Sequence, residues 1–155
     1  MGAAARNKGA AGEREFNALL APAVSNACTL ANVPGIRLSR NFAQSSEGGC
    51  DLNVLAKYGF AFEVKRHETL KINEWWAQIV KAAAKENAWP FLAYRQNRKP
   101  WTFVVDCRVL WIESEGRVFM EEAVFLAWFE KTLAERLRSY HGSINVAPTP
   151  PNNGV

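Results

Sequence analysis

The stretch from Gly48 to His67 constrains this chain more than any other: Gly-Gly-Cys-Asp-Leu-Asn-Val-Leu-Ala-Lys-Tyr-Gly-Phe-Ala-Phe-Glu-Val-Lys-Arg-His. It reads as two short apolar strands, residues 51–56 and 60–66, joined by a tight turn at Tyr58-Gly59. Side chains alternate faces along a strand, so Glu63 and Lys65 point one way with Ala61, while Phe60, Phe62 and Val64 point into a core. Asp51, Glu63 and Lys65 thus stand where strands of this kind normally bury apolar groups. Their desolvation costs free energy that folding alone does not require. A metal ion together with a phosphate group would account for all three.

The rest of the chain can support such a site. Its 155 residues, 48% hydrophobic and 12% aromatic, suffice for one substantial core and one domain. The apolar stretches are too short and interrupted to span a bilayer. No apolar signal segment opens the chain, which predicts a cytoplasmic protein of a bacterial, archaeal or phage-infected cell. Three scattered cysteines (Cys28, Cys50, Cys107), without a Cys-x-x-Cys pair, suit reduced thiols better than disulfides or a zinc site. A net charge of +4 permits a polyanionic partner without requiring one.

In chain order, residues 1–10 read as a flexible basic arm carrying Arg6 and Lys8. A helix is expected from Gly12 to about Ala21, with Phe16, Leu19, Leu20 and Ala23 as its apolar stripe and an end near Ser25-Asn26. Glu13 falls on that inward face, although an acid there also favours the positive end of the helix dipole. Glu15 lies elsewhere on the wheel. Residues 36–42 alternate like a first strand, and 43–49 read as a loop. A second helix is expected over 73–87 with Asn73 as N-cap and with Gln78 turned inward beside Trp75 and Ala82. Strands follow over 89–94 and 101–105, with a strand or irregular segment at 109–112 and a turn at Gly116. A third helix, 121–140, carries Phe125, Phe129, Leu133 and Leu137 at helical spacing. Its aromatics suit either a dimer contact or the core. Residues 141–155, rich in proline, read as a disordered tail beyond a single 11–140 domain. The element order α-β-β-β-α-β-β-α implies an α/β sandwich around a mixed sheet.

Gly12-Glu13-Arg14 on a first helix, Gly48-Gly49-Cys50-Asp51-Leu52 on a strand, Glu63-Val64-Lys65 on the next and Gln78 on the following helix resemble, in that order, the PD-(D/E)XK nuclease superfamily. Within it the set is most similar to archaeal- and phage-type Holliday-junction resolvases, over roughly residues 7–105. The resemblance implies a restriction-endonuclease-like sandwich with a central mixed five-stranded sheet flanked by helices. It implies Mg²⁺ or Mn²⁺ held by Asp51, Glu63, the Val64 carbonyl and Glu13, ligands of the hard-oxygen type these ions take. Lys65 would orient the attacking water or face developing negative charge, and Gln78 would position Lys65 or the nucleophile. Cys50 stands where the proline of "PD" would be. Arg40 and Ser45 fall where resolvases carry loop residues that approach DNA.

A second surface is basic with interleaved aromatics: Tyr94, Arg95, Arg98, Lys99 and Trp101. With Arg66 and Lys57 it could track phosphates. Equally, Trp101 could be core and the Arg-Lys turn merely solvated. His67 reads more readily as a surface histidine than as a general base. The reading is an Mg²⁺-dependent endonuclease for branched DNA, acting as a homodimer whose two-fold symmetry would match a four-way junction. The alternatives are a same-fold nuclease for duplex ends, flaps or restriction-type sites, and a silent DNA-binding module.

Overall fold

A computed structural model of the chain describes residues 3–38 and 53–142, with the side chains of 9–38 and 54–142. Arg40, Ser45, Cys50 and Asp51 therefore lie outside the described residues, as do 143–155.

Helix α1 spans Ala3–Ala31, well beyond the expected 12–21. It takes in most of the segment read as an arm, in keeping with the helix propensity of an alanine-rich start. Pro22 is inside it, and Ser25-Asn26 does not end it. The helix persists because Phe16, Leu20, Ala23, Val24, Ala27 and Cys28 form one continuous buried stripe. The stop is Asn32, which takes a left-handed φ of 55°. Val33 N–H then donates to Cys28 O and Asn32 N–H to Thr29 O, each at 3.1 Å, the pairing of a Schellman cap.

The expected strand over 51–56 is not formed by its described part. Asn53–Ala56 is a single helical turn, α2, closed by Tyr58 N–H to Leu55 O at 3.1 Å and Gly59 N–H to Ala56 O at 2.8 Å. From this turn Leu55 enters one core and Ala56 another. A short apolar run of this kind has no period that separates strand from helix. Residues 36–38, the described part of the expected first strand, are irregular.

Strand β1 (Phe60–Arg66) follows, then α3 (Ile72–Lys85), β2 (Trp89–Arg95), β3 (Thr102–Asp106), a 3-10 turn (Cys107–Leu110), β4 (Arg117–Glu121) and α4 (Glu122–His141). Among the described residues the sheet has four strands, not five, in the order β1-β2-β3-β4. It is mixed: β1 and β2 run parallel, and β2–β3 and β3–β4 pair antiparallel. Residues 109–112 form no strand. Val109 and Leu110 end the 3-10 turn, and Trp111 follows in the left-handed region. The unforeseen strand is β4. Its middle residue Phe119 faces solvent, so Arg-Val-Phe-Met-Glu shows no apolar-polar alternation.

Two cores sandwich this sheet. On one side Phe60, Phe62, Phe91 and Phe103 meet Phe16 of α1 and Phe125 and Phe129 of α4, with Phe103 and Phe125 stacked at 3.8 Å between centroids. Each such ring withdraws from water at a gain of about 1.5–3 kcal/mol. The aromatic face of α4 thus serves the core. On the other side α3 lays Trp75, Ile79, Ala82 and Ala83 on Ala61, Leu92 and Val104. Helix α3 begins at Ile72 after Lys71 rather than on an Asn73 cap, and Asn73 Oδ1 instead accepts from Arg117 Nη2 at 2.9 Å.

Arg136 of α4 locks the start of β1. It is buried and donates to Tyr58 O at 3.1 Å and Gly59 O at 3.0 Å, with its guanidinium 4.2 Å over the Phe60 ring. Burial lowers its pKa to about 10. Gly59 has φ 86°, and a Cβ there would lie 2.8 Å from Arg136 Nη1. Glycine is needed on both counts.

Candidate active site

Strand β1 splits its side chains as its pattern predicts. Phe60, Phe62 and Val64 enter the aromatic core, and Ala61 faces α3. The alternation puts Glu63 and Lys65 on the α3 side with Ala61. Glu63 is only 1% exposed and pairs in register with the buried Leu92 of β2. Lys65, half-buried, forms an ion pair with Glu63. Burial holds the Glu63 carboxyl above the ordinary range for a glutamate. The Lys65 ammonium pulls against that rise, and the Glu13 carboxylate adds to it. Glu13 is therefore within electrostatic reach of Glu63, and α1 and β1 bring two acids together.

Gly12 explains how α1 comes so near. A Cβ at residue 12 would lie 2.9 Å from the Arg66 Cβ. No other residue type permits that approach without moving the helix. One turn of helix then sets Glu13 beside β1 and Phe16 into the core, where its ring lies 5.4 Å from that of Phe62.

Glu15 also matters. Its carboxylate bridges Arg66 Nη1 at 2.6 Å and Arg95 Nη1 at 3.4 Å. Arg66 Nη2 further donates to Asn97 Oδ1 at 3.2 Å. Arg95 lies with its guanidinium 5.6 Å from the centroid of Trp101, a core residue. Sequence reasoning placed Glu15 off the apolar stripe and gave it no role, because Arg66 and Arg95 are remote from it in sequence. The basic set is thereby divided. Arg66 and Arg95 are half-buried and share an acid, whereas Arg98 and Lys99 occupy the exposed β2–β3 turn. Lys99 Nζ donates to the nearby Gln96 side chain, at 3.0 Å.

Gln78 is exposed on α3 rather than turned inward, because the helix packs through Trp75, Ile79, Ala82 and Ala83. His67 is exposed, its Nδ1 accepts from Thr69 N–H at 3.2 Å, and its ring meets the edge of Trp75.

Among the described residues no group of three His, Cys, Asp or Glu stands ready for a metal ion. Glu13 and Glu63 form a pair of hard oxygen donors, and the rise in the Glu63 pKa marks the free-energy cost of charge at that point. A divalent cation would relieve that cost, so this donor chemistry fits one.

The model of the family described as "phage putative PDDEXK endonuclease" matches residues 4–142. The chain belongs to this family. Searches of curated proteins and of solved structures each returned no match. The match takes in the described elements from α1 to α4, with Glu63-Val64-Lys65 of β1 inside it. In this family member the Glu63–Lys65 ion pair lies on a largely buried strand within electrostatic reach of Glu13 on α1. None of its described helices is long and apolar enough to cross a membrane.

Proposed function

We propose that the protein is an Mg²⁺-dependent endonuclease that hydrolyses phosphodiester bonds of DNA, with four-way junctions as its preferred substrate and a homodimer as its working form. The observation that carries the reading is the buried Glu63, paired with Lys65 on one strand, its pKa raised by burial with a further push from Glu13 on another element. Family membership supports nuclease chemistry at those residues. The ordered likeness to junction resolvases supports the choice of substrate.

Glu13, Asp51 and Glu63, with the Val64 carbonyl, would hold Mg²⁺, and Mn²⁺ would substitute. When bound, the ion supplies Lewis-acid chemistry, withdrawing charge from a phosphate oxygen and making water more acidic. Glu63 is positioned by β1 so that its carboxylate needs a cation to be comfortably ionised. Lys65 carries three N–H donors and uses Glu63 to fix its direction, so the others can orient water or face the oxygen on which charge develops. Arg98 and Lys99 would contact phosphates without reading sequence, and Arg40 and Ser45 would add further contacts. Arg66 and Arg95, tied to Glu15, would present a fixed positive field rather than searching side chains.

Cleavage of four-way, flap, nicked and linear substrates of matched sequence tests the reading. Preferred, symmetric cutting of the four-way junction supports it. Equal cutting of linear duplex overturns the junction preference, and no cutting of any DNA with Mg²⁺ or Mn²⁺ overturns the nuclease assignment.

A further inference from the structure

We propose that β4 is a self-pairing edge through which two copies of this chain join their sheets about a two-fold axis at Phe119. The proposal rests on the homodimer of the proposed function and gives it an interface, whereas the nuclease chemistry is tested separately by cleavage. Among the described residues strand β4 ends the sheet, and edge strands in stable proteins are usually covered, twisted away or blunted. Here Phe119 stands 52% exposed on the edge.

The ladder shows which backbone groups are available. Cys107 N–H donates to Gly116 O at 3.0 Å, and bonded pairs alternate with non-bonded pairs along an antiparallel ladder. Val118 and Met120, opposite Val105 and Phe103, therefore direct their amides to β3. Arg117, Phe119 and Glu121 direct theirs to the open edge.

An antiparallel copy with Phe119 on the axis satisfies these groups and matches the side chains. Arg117 comes opposite the partner's Glu121, Glu121 opposite the partner's Arg117, and the two Phe119 rings meet between them. The strand is its own electrostatic complement, as an isologous interface demands. The same axis carries the β3–β4 connection of one copy toward the start of α4 in the other. Trp111 and Ile112, 79% and 46% exposed, thereby approach the partner's Val124, 56% exposed. This widens an area that a five-residue strand alone leaves small for a stable pair. In the monomer Arg117 leans on α3, donating to Asn73 Oδ1 at 2.9 Å and lying 5.9 Å from the Trp76 ring centroid. It is nonetheless an exposed side chain that can turn outward.

Sedimentation of the full chain from about 1 to 100 µM tests this, a range in which a micromolar interface fills. The wild type should pass from monomer to dimer. Arg117→Glu or Glu121→Arg alone sets two like-charge pairs across the axis and should weaken association about tenfold or more. The double swap Arg117→Glu/Glu121→Arg restores both pairs and should restore the dimer, which separates the interface from a folding defect. Phe119→Lys should stay monomeric. A monomeric wild type throughout the range overturns the proposal, as do single swaps that leave a dimer intact or a folded double swap that stays monomeric. So does a dimer that appears only when the chain is shortened to Gly142, since residues 143–155 would then be the occupant of the edge.

Discussion

Gly12 and Arg66 touch so closely that the smallest side chain at residue 12 would approach the Arg66 Cβ to 2.9 Å. This contact sets the distance between α1 and β1, and with it the field of Glu13 on Glu63. Gly12→Ala should push α1 outward although alanine favours the helix itself. A net loss of about 1–3 kcal/mol is expected, as for overpacking, read as a fall in denaturation midpoint. Cleavage should fall further than stability does, because Glu13 moves with the helix. Unchanged stability and cleavage would show that α1 accommodates the methyl group and that its position is not critical.

Glu63 yields a prediction with a sign. Its folded pKa lies above the ordinary 4.5, so its contribution to stability is fully present below that value and is lost as pH rises through the folded pKa. Without divalent ions, Glu63→Gln should match the wild type in mild acid and exceed it at neutral pH. A relief of about 1 kcal/mol corresponds to about 2–4 °C in Tm for a chain of this size. Mg²⁺ should close the gap by stabilising the wild type alone. Melting curves with and without the ion, at pH 4 to 8, measure this. A wild type that outlasts the variant at neutral pH without metal counts against a strained acid.

Arg136 should behave as a buried structural cation. Arg136→Met leaves the Tyr58 and Gly59 carbonyls without their donor, at a cost of about 2–4 kcal/mol by chemical denaturation. A loss under about 0.5 kcal/mol would mean that the turn holds itself.

Lys99→Ala should weaken DNA binding and lower the slope of log affinity against log salt by about one contact. Glu63→Ala should leave that slope unchanged while stopping cleavage. Titrations at several salt concentrations separate the two, and an unchanged slope in Lys99→Ala would place the phosphate contacts elsewhere.

What could be read from the sequence followed the strength of periodicity. The face of β1 that carries Glu63 and Lys65, the aromatic face of α4 and the inward stripe of α1 all came from regular spacing that packing then enforced. Where spacing was silent, expectation and fold diverged. Leu52-Asn-Val-Leu-Ala56 suits strand or helix equally, since so short an apolar run has no period that decides between them. Strand β4 was hidden because Phe119 faces outward. Gln78 sits one position from the buried Ile79, a difference that spacing could not resolve. Glu15 was invisible because its partners, Arg66 and Arg95, are brought to it by the sheet.

The central claim is that Glu63, paired with Lys65, performs metal-dependent cleavage. The most direct measurement is the rate of cutting of a four-way junction with Mg²⁺ by the wild type and by Glu63→Gln, both verified as folded and DNA-bound. The wild type should cut and should stop on chelation, and the variant should lose at least about 10³-fold. A Glu63→Gln protein that cuts at the wild-type rate would contradict it.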